Sequence, residues 1–268
     1  MFIDPHAHLV CRTTDDYTAM AQAGCIMVGE PSFWAGFDRA DSSAFRDYFL
    51  QLTEYEPKRA AQFGIKHYCW ICINPKEAED PAFAREVMEM IPEFLAKSNV
   101  LGIGEIGLNR NTANEILIME EQMDLAIKYD QLVLIHTPHL EDKLKGTKII
   151  LDALKNRPEL SPDRVLVDHC EEHTLPLVKD AGYWAGLTLY PNSKLNPSRA
   201  ADILECYGTD RIWVNSACDW GKSDPLSVPK LAFELRLRGW DQNKINQVVL
   251  HNPDQFMQGS QHYMRIIP

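Results

Sequence analysis

The chain has 268 residues, 45% of them hydrophobic and 24% charged, with 27 Lys and Arg against 38 Asp and Glu, a net charge of −11. That is enough apolar material for a large core, either two smaller domains or one α/β barrel. So acidic a surface argues against binding long tracts of nucleic acid, which relies on neutralising phosphates, but it leaves room for a local basic pocket.

The first apolar run, Phe2–His6, reads as a strand, and His8 follows it at a spacing of two. Strand side chains alternate faces, so this pattern puts both imidazoles on one face at a strand end. Thr13 to Asp16 fit a capping box ahead of Tyr17, Met20 and Ala21, and Gly24 stands where a helix would end. Cys25–Gly29 is the second strand, and a helical stretch covers Ser43–Phe63 before the third strand, His67–Ile73. Val100–Glu105 is the fourth. Asn114–Tyr129 carries Ile116, Met119, Met123, Ala126 and Ile127 on one helical face. Leu132–His136, Arg164–His169, Tyr183–Leu189 and Arg211–Asn215 complete a set of eight strands, and Asp241–Met257 reads as a last helix covering the barrel. Strands separated by helices pair in parallel, and eight of them imply a closed (β/α)8 TIM barrel of the α/β class. With no linker, repeat or low-complexity tract, residues 1–268 read as one domain.

Seven cysteines, at 11, 25, 69, 72, 170, 206 and 218, are odd in number and scattered. They point to free thiols in a reducing, cytoplasmic setting. Cys69 and Cys72 form a C-x-x-C, but residues three apart in a strand face opposite ways, so they read as unrelated buried thiols. No charge-free apolar run approaches membrane length, and the first ten residues lack the Lys or Arg of a secretory signal.

In such barrels the active site lies at the C-terminal ends of the strands. His6 and His8 end the first strand, Glu105 the fourth, His136 the fifth and His169 the sixth, and Asp219 follows the eighth. Each alone has an ordinary structural use. Together, polar metal-competent side chains on otherwise apolar strands would be costly to bury without a shared partner, and a metal is that partner.

These residues also carry a resemblance. The Asp4-x-His6-x-His8 opening, the Gly-Ile-Gly-Glu-Ile-Gly-Leu run at 102–108, the segment Gln122–His136, His169, and Asn252-Pro253 with Phe256 are similar to the TatD family of metal-dependent hydrolases, in the amidohydrolase superfamily. The likeness spans essentially the whole chain. It implies a binuclear centre with His6, His8 and Asp219 on one ion, His136 and His169 on the other, and Glu105 bridging. Glu105 and Asp219 would be the catalytic carboxylates. Such ligands suit two divalent ions, zinc first, with manganese, iron or magnesium as alternatives. The ions would deliver a shared water as hydroxide, with Asp219 moving its proton to the leaving group.

The chain also departs from that family. Asn109-Arg110 stands where the nucleases carry an Asp-Tyr pair, Val10 replaces an acidic residue, and Asn215 to Trp220 differ from the usual run around the last ligand. Stretches such as His8–Tyr17 and Tyr183–Tyr190 resemble a divergent TatD-related branch associated with bacterial specialised-metabolite gene clusters. The expected function is therefore hydrolysis of an ester-type bond (phosphoester, carboxylic ester, lactone or amide) in a small molecule. A TatD-like 3′–5′ DNA exonuclease is the alternative, and a metal-binding protein without turnover is the third reading. Trp34, Arg110, His139, Tyr190, Lys194 and Trp220 are the candidate substrate contacts, with Glu30, Phe33, Asn74 and Lys222 also on the expected rim. His67 reads as structural.

Overall fold

The computed structural model describes residues 1–138 and 142–267. All eight expected strands form: β1 Phe2–Asp4, β2 Cys25–Pro31, β3 Lys66–Trp70, β4 Val100–Gly107, β5 Leu132–His136, β6 Val165–Asp168, β7 Trp184–Thr188 and β8 Ile212–Asn215. Each pairs in parallel with the next, in the order β1 to β8. The seam between β8 and β1 is joined just beyond the strands. There the Ala217 N–H donates to His6 O at 2.8 Å and the His8 N–H to Cys218 O at 2.8 Å. Below them the buried Asp4 carboxylate accepts from the Ser216 N–H at 3.1 Å and its hydroxyl at 2.6 Å. The result is the nearly closed barrel of the TIM type.

The helices between the strands start where the sequence caps them. Thr13 and Asp16 form the capping box of Thr14–Gln22, and Gly24, at φ +92°, reverses the chain into β2. Thr112 caps Ala113–Lys128 through the Glu115 N–H. The expected helical stretch over 43–63 forms as two α-helices, Ser42–Leu50 and Glu56–Ala61, joined by a π turn at Gln51–Tyr55. The last helical stretch likewise carries a π turn at Gln247–His251 between Gln242–Asn246 and Asn252–Met257.

That last segment bears on the barrel as expected. Phe256 lies 5.3 Å from the Trp213 ring, 5.6 Å from Trp184 and 6.3 Å from Trp70. Trp70, Trp213 and Phe256 are fully buried, and truncating Phe256 to Ala would cost about 3–5 kcal/mol in lost packing. Above this apolar layer, Gly186 makes room for the polar one. A Cβ there would collide with Asp168 Oδ1 and Trp213 Nε1. All seven cysteines are free, and Cys69 and Cys72 are buried. No helix among the described residues is long and apolar enough to cross a membrane.

Candidate metal centre and active site

His6 and His8 do not share a face through strand alternation, because β1 ends at Asp4. Pro5 follows with no N–H to continue the ladder. The chain turns there, Ala7 N–H reaches Gly29 O at 3.0 Å, and a short 3-10 turn runs from Leu9 to Cys11. The two rings meet edge to face, with their Nε2 atoms 3.1 Å apart.

Glu105 arrives by a different device. β4 runs on to Gly107, and its register against β5 slips between Gly104 and Ile106, leaving Glu105 as the extra residue of a bulge. Bulges re-aim side chains in this way beside active sites. Glu105 Oε2 lies 3.0 Å from His136 Nδ1, 3.3 Å from His169 Nε2 and 3.7 Å from His6 Nε2. Its Oε1 lies 3.8 Å from His8 Nε2 and accepts from Asn74 Nδ2 at 3.2 Å. His169 follows β6 at φ +59°, a left-handed conformation uncommon for a residue with a side chain, which turns the ring inward. Its Nδ1 meets Thr188 Oγ1 at 2.6 Å, and its carbonyl accepts from buried Lys143 Nζ at 2.7 Å.

Asp168 was not foreseen. It pairs across β5 at the level of His136, and its Oδ2 lies 2.6 Å from His6 Nδ1. The Asn215 amide and the His169 N–H also donate to it, at 3.0 and 2.7 Å. A carboxylate behind an imidazole fixes its tautomer and raises its basicity as a ligand. The signal in the sequence was an acidic residue ending an apolar run, directly before His169.

Ligand-type atoms lie within 4.8 Å of one another in three groups: His6, His8 and Glu105; Glu105, His136 and His169; and His6, Asp168 and His169. Every member is buried. Burial drives the pKa values of His8, His136 and His169 down, which leaves neutral imidazoles. Burial also opposes charge on Glu105, but His136 and His6 hold it well below the usual carboxylate range. On His6, burial is outweighed by Glu105 and Asp168, which raise its pKa. A buried anion among four imidazoles, three of them held neutral, is the donor set of a divalent metal site.

Above these residues lies a cavity of about 180 Å³, lined also by Phe33, Lys76, Tyr190, Ser193, Lys194 and Asp219. Asp219 lies at this cavity but outside the three groups, its Oδ1 accepting from Tyr190 OH at 2.9 Å and Gly221 N–H at 2.6 Å. Trp34 and Trp220 line an adjoining cleft of about 230 Å³ that shares Phe33 with the first, and Phe33 stacks on His8 at 4.0 Å. Arg110 and Lys222 are exposed and line neither. Glu30 is not on the rim: it is buried, paired with His67 Nε2 at 2.8 Å and Val10 N–H at 2.8 Å. His139 lies outside the described residues. Lys76, on a 3-10 turn capped by Asn74, was missed, because a lysine after a proline has no distinctive pattern.

The family pattern of TatD related DNase matches residues 3–215. An uncharacterised metal-dependent hydrolase of Methanocaldococcus jannaschii is 29% identical over 260 residues, covering 95% of this chain and 98% of that one. A TatD-like protein of Archaeoglobus fulgidus superposes with a TM-score of 0.79 at 24% identity, over 96% of this chain and 100% of its own. The phosphotriesterase homology protein of Escherichia coli, solved with phosphate in its active site, gives 0.69 at 15% identity, over 96% and 98%.

Proposed function

The chain belongs to the TatD family of metal-dependent hydrolases, and within it we propose a binuclear enzyme that cleaves an ester-type bond of a small molecule. The observation that carries this reading is the convergence of four buried imidazoles on one carboxylate beneath an open cavity. The two groups that share Glu105 would hold one ion each, His6 and His8 on one side and His136 and His169 on the other. Zinc suits these donors best, with manganese, iron or magnesium as alternatives. Divalent cations held there supply Lewis acidity, acidifying water and polarising the scissile oxygen.

The chain's own residues do the rest. Glu105 keeps the two ligand pairs together. Asp168 orients His6 through Nδ1, and Thr188 fixes His169 in the same way. Asp219, held at the mouth by Tyr190, would take a proton from the attacking water and return it to the leaving oxygen. The water oxygen bonds to phosphorus or carbon, the ester bond breaks, and the leaving group departs protonated. A cavity of this size suits a small substrate better than a polynucleotide.

The test combines metal analysis with a substrate panel of phosphate monoesters, diesters, carboxylic esters and lactones, and labelled single-stranded DNA. Close to two ions per chain and turnover of a small ester are expected. Preferential degradation of DNA would favour the exonuclease reading, and a chain that binds no divalent ion would sink both. Asp219→Asn should lower turnover of the responsive ester by about 100-fold or more while metal is retained. Unchanged turnover would remove Asp219 from proton transfer.

A further inference from the structure

The cavity holds two ammonium groups that the hydrolytic reading does not use. Lys194 lines it from the turn after β7, and Lys76 from the turn after β3. Neither Nζ has a hydrogen-bond or ion-pair partner among the described residues. Each lies only over aromatic rings: Lys194 over Tyr190 at 5.4 Å, and Lys76 over Trp34 at 5.0 Å and Phe33 at 5.6 Å. By contrast, Lys97, Lys143 and Lys230 each sit within 4 Å of an acidic side chain, and the other lysines that lie over rings, Lys66, Lys128 and Lys244, are exposed to solvent. Leaving an ammonium in a recess without an acceptor is unfavourable, and an anion in the cavity would remove that cost.

Both lysines are also held in place. Asn74 Oδ1 accepts from the Lys76 N–H at 3.1 Å, while the same amide donates to Glu105, tying this turn to the centre. The Lys194 N–H donates to Tyr190 O at 2.9 Å, and the Lys194 carbonyl accepts from Arg199 at 2.8 Å. The one carboxylate at the mouth, Asp219, already accepts from Tyr190 and Gly221 through Oδ1. A protein of net charge −11 thus presents two unpaired cations at the polar cavity above the centre.

We infer that Lys76 and Lys194 form an anion clamp that selects a doubly charged substrate group, a small phosphate monoester. The inference rests on the hydrolytic reading for its chemistry but not for its binding. Two ammonium groups lining one cavity match the non-bridging oxygens of a phosphoryl dianion. The adjoining cleft of Phe33, Trp34 and Trp220 is placed to take a planar leaving group.

The experiment measures inorganic phosphate binding to the metal-loaded protein by calorimetry, for wild type, Lys194→Met, Lys76→Met and the charge-keeping Lys194→Arg. Nitrophenyl phosphate and nitrophenyl acetate supply the kinetic readout. Each Met variant should weaken phosphate binding about tenfold or more, with Lys194→Arg closer to wild type. The ratio of kcat/KM for the anionic over the neutral ester should fall by a similar factor, chiefly through KM. Phosphate affinities within twofold of wild type would overturn the clamp, as would equal losses on both esters in chains of full metal content. Lysine-dependent phosphate binding in a protein that hydrolyses no ester would uphold the clamp and refute the hydrolytic reading.

Discussion

Glu30 and Glu105 are both buried carboxylates that touch histidine, and only Glu105 lies at the candidate site. Glu30, at the end of β2, accepts from the Val10 N–H through one oxygen and meets His67 through the other. Both oxygens are occupied, and no cavity opens onto them among those that line the barrel mouth. Glu105, in the bulge of β4, faces four imidazoles, and the space above it is open. The same functional groups therefore serve two ends. A one-to-one pair satisfies itself and holds a loop. Several nitrogen donors around one anion leave lone pairs that a metal cation can take up together.

Swapping the amide for the acid at each position tests this contrast. Glu105→Gln should abolish retention of metal on dialysis and lower ester turnover by at least about 1,000-fold, while the apo chain still folds. Glu30→Gln should do the reverse. Removing one partner of a buried pair costs about 3–5 kcal/mol, so its urea midpoint should fall markedly, yet metal per folded chain should match wild type. If Glu30→Gln strips the metal without moving the midpoint, the division between a closed pair and an open site is wrong.

A smaller effect separates direct ligands from the residue behind them. Asp168→Asn keeps the shape but removes the charge that orients His6. Metal affinity should fall about 10–100-fold, the usual consequence of losing a carboxylate behind a ligating histidine. Competition against a chromogenic chelator would read this directly. A loss as complete as that of Glu105→Gln would promote Asp168 from positioning residue to ligand, which the third cluster, His6, Asp168 and His169, leaves open geometrically.

Much of this was legible in the sequence, for identifiable reasons. β5 was read with both ends right, since Leu132–His136 is a short apolar run bounded by Gln131 and Thr137. His136, His169 and Glu105 stand at or near the ends of apolar strand runs, where a polar residue is conspicuous. The two π turns were not legible, because helical periodicity does not register one extra residue in a turn. His6 and His8 do meet, but through a loop beyond Asp4 and not by strand alternation, and a strand pattern cannot foresee where Pro5 ends the ladder. Asp168 hid beside a stronger signal, and Glu30 looked like a rim residue because nothing local announces a partner 37 positions away. The mouth was read least well. Arg110 points to solvent, whereas Lys76 lines the cavity, and only the folded loops decide between them.

The finest test concerns the charge of Lys194 rather than its presence. Burial pushes its pKa down to about 8; Glu105, Asp168 and Asp219 act to raise it, and Lys143 adds to the fall. Its charge is therefore present below pH 8 and lost above. A tenfold preference of phosphate for the charged form raises the bound-state pKa by one unit, to about 9. The ratio of phosphate dissociation constants, Lys194→Met over wild type, should therefore stay near tenfold below pH 8. It should then fall toward unity between about 8 and about 9. The ionisation of phosphate itself is common to both proteins and cancels in the ratio. A ratio that stays constant from neutral to alkaline pH would mean that Lys194 acts through its shape and not its charge. The mouth would then resemble the closed Glu30 pair, a packing feature, rather than the open centre beneath it.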